Sequence, residues 1–198
     1  MAIVLASASR ARLAMLEQAG VVDLIVDPAA IDEAAITESL AAERASPAVV
    51  AETLARLKAE RMASRHPGRI VIGADQVLEC EGRLFDKPVD TGTARRQLQA
   101  LRGRTHRLVS SAVALRDDAR LWHHTGEARL TMRNFSDGFL DQYLARAGSR
   151  ALESVGAYQL EGEGAQLFSA VEGDYFTILG LPLLPLLEFL RAQGELGA

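Results

Sequence analysis

The chain has 198 residues, 48% hydrophobic and 24% charged, enough apolar side chains for a sizeable core in one domain, with or without a small lobe. A net charge of −4 and an aromatic content of 5% argue against a nucleic-acid polymer or an anionic membrane as a general partner. The lone cysteine, Cys80, excludes a disulfide framework and fits a reducing cytoplasm, and no apolar run reaches the length of a membrane span.

The first residues lack the charged start and apolar core of a signal peptide. Ala2 to Ala6 read as a short strand, followed by Ser7-Ala8-Ser9 and a periodic run through Leu13, Leu16 and Ala19. This predicts strand, loop and helix, with Ser9 as N-cap and Gly20 as C-cap. Arg10 and Arg12 in the first turn oppose the helix dipole. Either an incoming anion relieves the conflict or both arginines are solvated; the free N–H groups and hydroxyls of a helix start suit an anion.

Val21 to Val26 is the second predicted strand, and Ile31-Asp32-Glu33 sets two acids in a loop. Ser46-Pro47 opens a helix with Val50, Leu54 and Leu57 on one face and Lys58 beside it. His66-Pro67-Gly68 stops it. The β-branched run from Ile70 then predicts a buried strand, in which the acid Asp75 follows the small residues Gly73 and Ala74. Small residues there would let a ligand approach the backbone. A reversal at Glu81-Gly82 leads to Lys87, held by Pro88. A carboxylate and an ammonium at opposite ends of one hairpin suit a metal-bound polyphosphate; a buried strand with an exposed lysine accounts for the same residues. Cys80, beside that strand, reads as a packed thiol.

Asp90 and Thr91 start a helix that Gly103 closes. Arg104 to Leu115 and Leu121 to Met132 read as a strand pair about the turn Asp117-Asp118. His106, His123 and His124 lack metal-ligand spacing and read as structural or surface residues. Ser136-Asp137 caps a helix ending at Gly148, and Gly156 to Gly164 form a glycine-rich loop whose amides can reach a ligand. It lacks the Lys-Ser/Thr of a P-loop. Leu167 to Val171 is the last predicted strand; Gly173-Asp174 turns, and Gly180-Leu181-Pro182 opens a final helix through Leu190.

Taken together, Leu5-Ala6-Ser7-Ala8-Ser9-Arg10-Ala11-Arg12, Asp32-Glu33, Gly73-Ala74-Asp75-Gln76-Val77, Lys87-Pro88, Leu101-x-Gly103-x-Thr105-His106, Gly156-Ala157-Tyr158 with Gly162-x-Gly164, and Val171-Glu172-Gly173-Asp174-Tyr175 with Gly180-Leu181-Pro182 span nearly the whole chain. Their order and spacing resemble the Maf family of nucleoside triphosphate pyrophosphatases. The resemblance implies one α/β domain over residues 1–198: an elongated, mixed, twisted sheet with flanking helices and a cleft between two lobes. It also implies a cytoplasmic enzyme, commonly a homodimer, that clears modified or surplus nucleotides by releasing pyrophosphate with a divalent metal, Mg²⁺ or Mn²⁺.

The family's proton acceptor falls on Asp75. Glu33 and Asp75 are the candidate metal ligands. Lys87, Arg12 and Lys58 are candidates to hold phosphate, and Ser7 and Ser9 to cradle it. Three positions bear on the base. The branch acting on dTTP and UTP has arginine, threonine and glutamine where this chain has Ala11, Gln76 and Glu161. Gln76 and Glu161 resemble the 7-methyl-GTP branch instead, and a carboxylate suits the N–H donors of a guanine edge. Ala11 offers no stacking surface, and Arg10, in place of the family proline, is the candidate to take over part of the missing arginine's role. The alternatives are a dTTP/UTP pyrophosphatase of the same family and a nucleotide-binding regulator of septum formation without catalysis.

Overall fold

The computed structural model describes residues 2–197; residues 1 and 198 of the expected domain lie outside them. Among the described residues seven strands form one mixed sheet: β1 (Ile3–Leu5), β2 (Leu24–Val26), β3 (Ile70–Cys80), β4 (Arg83–Phe85), β5 (Thr105–Arg116), β6 (Ala119–Met132) and β7 (Phe168–Glu172). The order is β2-β1-β3-β5-β6-β7, with β4 paired to β3. β1 runs parallel to β2 and β3, and every other pairing is antiparallel. At about 3.3 Å per residue, β3 alone is roughly 36 Å long, and one face of the sheet serves two cores. One gathers Ile3, Leu5, Ile70 and Ile72 with α1 (Arg10–Gln18) and α7 (Leu183–Ala192). The other gathers Leu78, Leu108 and Leu130 with α4 (Thr91–Leu101) and α5 (Asp137–Ala147).

The third long helix, α3 (Pro47–Ala63), starts as expected with Ser46 capping Val49 N–H and proline in its first turn. It lies against the face of β3 that carries Gly73. A Cβ there would stand 2.7 Å from Ala59 N and closer still to the Ala55 carbonyl oxygen. The small residue at 73 therefore admits a helix, not a ligand as the sequence suggested.

Several predicted boundaries shift. The second strand shrinks to Leu24–Val26 because Asp23 takes φ 56°, which an extended strand cannot continue through. Glu33 is not in a loop: Asp32 accepts from Ala35 N–H and caps α2 (Glu33–Ala42), whose Ile36 and Leu40 pack towards Val50 and Leu54 of α3. Gly180 does not open the last helix. It closes a short one, α6 (Tyr175–Ile178), with φ +100°, and α7 starts after Pro182. The hairpin at Glu81-Gly82 forms as read, with φ 52° and 81°, the left-handed pair of a type I′ turn.

Candidate active site

β1 reaches only Val71 and Ile72 of β3, and β4 pairs only with Leu78 to Cys80. Residues 73–77 of β3 therefore have β5 on one edge and no strand on the other. A cleft of about 1110 Å³ opens beside that edge, at the carboxyl end of β1, where open α/β sheets bind ligands. Its lining includes every candidate site residue: Ser7, Ser9, Ala11, Arg12, Glu33, Lys58, Asp75, Gln76, Lys87 and Glu161.

On the α3 face, the close seat over Gly73 places Lys58 against Asp75. Lys58 Nζ donates to Asp75 Oδ1 at 2.5 Å and lies 2.9 Å from Glu33 Oε1. Lys58 and Asp75 are buried, whereas the Glu33 side chain is 53% exposed. Burial raises the Asp75 pKa, with Lys58 and Arg12 pulling the other way. The two carboxylates thus meet on one cation, which tests the donor set for a metal. Among the described residues no group of three or more His, Cys, Asp and Glu is placed to hold one. Two carboxylates are oxygen donors of the kind that Mg²⁺ or Mn²⁺ takes, too few to enclose one alone.

Arg12 resolves the ambiguity of the arginine pair. Arg10 is exposed on the cleft wall. Arg12 is buried: its Nε donates to Gly180 O at 2.7 Å, and one terminal nitrogen donates to Ala74 O at 2.9 Å and Ser7 Oγ at 3.0 Å. Burial lowers its pKa, opposed by the charges of Asp75 and Glu33. The other terminal nitrogen makes no hydrogen bond among the described residues. Ser7 Oγ accepts from Arg12 and from Ser9 N–H, and Ser9 Oγ accepts from Arg12 N–H as the helix cap. Acceptors to the protein, both hydroxyls keep a proton to donate to an anion.

Lys87 stands exposed between buried Phe85 and Pro88 and makes no hydrogen bond or ion pair with the described residues. Desolvation lowers its pKa, and repulsion by Arg12 adds to this. Around Asp75 and Glu33 stand three cations, Arg12, Lys58 and Lys87, although over the whole lining five basic side chains, with Arg10 and Arg150, are matched by five acidic ones, with Asp86, Glu153 and Glu161.

Gln76 lies on the opposite face of β3. Its Nε2 donates to Ser110 Oγ at 2.9 Å and to the backbone oxygens of Thr177 and Ile178, each at 3.0 Å. Glu161 is exposed on the glycine-rich loop, and Ala11 is half-buried on α1. Sequence reasoning missed Ser110, Thr177 and the carbonyl of Gly180. Their contacts to Gln76 and Arg12 span at least 34 residues, and no local pattern marks them. Glu79, another buried acid of β3, belongs to the hairpin and not to the cleft. Burial would raise its pKa, but Gly82 N–H and Arg107 bond its carboxylate and hold it low.

The model of the Maf-like protein family matches residues 2–193. The chain belongs to the Maf family. A Maf relative from Paramagnetospirillum magneticum, a nucleoside triphosphate pyrophosphatase, is 62% identical over 97% of this chain and 98% of its own length. A second protein of that name, from Granulibacter bethesdensis, is 55% identical over 99% of both. A 7-methyl-GTP pyrophosphatase from Rhizobium etli is 50% identical over 98% of this chain and 97% of its own length. The Maf fold expected from the motifs, a mixed sheet with flanking helices, is the one observed. No helix among the described residues is long and apolar enough to cross a membrane.

Proposed function

We propose that the chain hydrolyses a nucleoside triphosphate to the monophosphate and pyrophosphate, with a divalent metal and a preference for a 7-methyl-GTP-like base. The observation that carries the reading is the meeting of Glu33, Lys58 and Asp75 in one cleft with Arg12 and Lys87. Water attacks the α-phosphorus. The new P–O bond forms as the bridging P–O bond to the β-phosphate breaks, and its electron pair leaves with pyrophosphate. The water proton goes to Asp75, whose raised pKa brings it closer to the range of an effective base. Glu33 and Asp75 would hold the metal, which when bound neutralises phosphate oxygens. Arg12, Lys87 and Lys58 hold the phosphates, aided by the Ser7 and Ser9 hydroxyls and the N–H groups at the start of α1.

The base preference rests on Gln76 and Glu161, and the 7-methyl-GTP pyrophosphatase relative at 50% identity supports it. The decisive experiment supplies a panel of triphosphates with Mg²⁺ or Mn²⁺ and measures pyrophosphate and orthophosphate separately. Pyrophosphate release, lost in Asp75→Asn, is the expected result. Orthophosphate alone, or no turnover on any triphosphate, would refute the reaction. UTP or dTTP preferred over 7-methyl-GTP would refute the base.

A further inference from the structure

Three residues form a row across adjacent strands on one face of the sheet. Gln76 of β3 pairs with Ser110 of β5, which pairs with Gly126 of β6. The turn from Asp174 to Gly180, which contains α6, sits on this row. Over Gly126 lies the Thr177 side chain; a Cβ on Gly126 would stand 2.6 Å from Thr177 Oγ1 and 3.0 Å from Cγ2. Over Ser110 lies the Thr177 carbonyl, which accepts from Ser110 Oγ at 2.7 Å. Over Gln76 lie the Thr177 and Ile178 carbonyls. The turn is itself fixed at its start, where Asp174 Oδ2 accepts from Thr177 N–H at 2.7 Å. At its other end the Gly180 carbonyl holds Arg12.

The polarity of the Gln76 amide follows from these partners. Backbone carbonyls accept only, so the amide nitrogen must face Thr177 and Ile178. Its two hydrogens meet three acceptors, and none is left for the cleft. The amide oxygen has no partner among the described residues and is not sealed from solvent. It is the group this side chain offers to a ligand.

We propose that the Asp174–Gly180 turn is a positioning element, seated on the Gln76–Ser110–Gly126 row, which locks Gln76 with only its amide oxygen towards the cleft so that the base is read through an N–H donor. Asp174, Thr177 and Gly126 act through Gln76 and Arg12 and are positioning residues. The substrate class rests on the pyrophosphatase reading above; the lock does not.

The test is Gly126→Ala, a change outside the cleft lining, alone and with Thr177→Ala, which removes the two atoms the new methyl would strike. The kcat/KM for 7-methyl-GTP and UTP is measured for each. Gly126→Ala is expected to lower kcat/KM about tenfold, the order of one well-formed hydrogen bond lost. It should also move the ratio between the two substrates towards one, and the double variant should recover most of both. A merely structural role predicts a loss of stability that the double variant relieves, with the ratio between the two substrates unchanged throughout. Unchanged kinetics in Gly126→Ala, or a double variant no better than the single, overturns the proposal. A second arm needs neither turnover nor a folded variant at position 126. In the wild-type protein, the Gln76 side-chain NH₂ signals, assigned with Gln76→Met, should exchange with solvent at least tenfold more slowly than those of exposed glutamines. Equal exchange overturns the lock. If no triphosphate is turned over, the pyrophosphatase reading fails and this arm still decides the lock.

Discussion

Gly73→Ala is the most direct test of how the fold builds the site. The new methyl would stand 2.7 Å from Ala59 N, 2.9 Å from Ala59 Cβ and nearer still to the Ala55 carbonyl oxygen. These are mostly backbone atoms of α3, so no side-chain rotation relieves them. Carbon contacts settle at about 3.5–4.0 Å, so α3 must retreat by on the order of 1 Å. Overpacking of this kind costs about 1–3 kcal/mol. The functional cost should be larger in proportion. Lys58 lies between Ala55 and Ala59 on the same helix, and its 2.5 Å bond to Asp75 does not survive such a shift unchanged. A misplacement of about 1 Å can cost roughly 10²-fold in rate. Denaturant unfolding gives the first quantity, and pyrophosphate release well below the unfolding midpoint gives the second. A variant that loses stability while keeping the wild-type rate would refute the claim that the seat over Gly73 aligns Lys58 with Asp75. A variant unchanged in both would refute the close packing itself.

Other outcomes follow from single groups. Glu33→Gln should leave unfolding stability within about 0.5 kcal/mol, because the side chain is largely solvated, yet reduce pyrophosphate release at least tenfold; equal activity would remove Glu33 from the site. Burial lowers the His106 pKa from 6.5 to about 4. A depressed histidine contributes stability fully above pH 6.5 and loses it as pH falls towards 4, by about 3 kcal/mol in total. Denaturation midpoints across that window should show this slope in the wild type and not in His106→Phe. Asp75, with its pKa raised, contributes a slope of the opposite sign to both proteins, and the comparison cancels it. Cys80 is buried, and burial pushes its thiol pKa up. Alkylation should therefore await unfolding, and rapid labelling of the native protein would contradict the packing.

What was legible in the sequence was local. Ser9, Ser46, Asp90 and Ser136 each cap the helix expected of them, because a cap needs only a short side chain and an N–H two or three residues on. The β5–β6 hairpin and the turn at Glu81-Gly82 were visible for the same reason. The helix at Glu33 was missed because only two of its side chains, Ile36 and Leu40, are large and apolar, and both are half-buried; α3 stabilises it more than its own pattern does. α6 was missed because four residues give no period to read. Within the site, residue types and spacing marked Asp75, Lys58 and Arg12 as chemistry-bearing but not what holds them. Arg12 illustrates the gap. Its charge conflicts with the helix dipole in the sequence, and in the fold a serine and two backbone carbonyls from distant segments receive it.

The alternation of a strand explains how one short stretch carries two separate tasks. Asp75 and Gln76 are neighbours, so their side chains leave β3 on opposite faces. Asp75 meets Lys58 on the α3 face, and Gln76 meets Ser110 and the α6 turn on the other. Because β1 stops at Ile72 and β4 waits until Leu78, the strand edge between them is open and one cleft reaches both faces. The acid–lysine pair and the amide therefore make no direct side-chain contact; the α6 turn and Arg12 are what lies between them. Substitution of Gln76 by methionine should alter the ranking of triphosphates while leaving Asp75 with its Lys58 bond. For a substrate that makes no use of the amide oxygen, kcat should stay within about threefold, a coupling of a few tenths of a kcal/mol, since the two side chains leave the strand on opposite faces without touching. A uniform loss of kcat across all bases would show that the two faces are coupled after all.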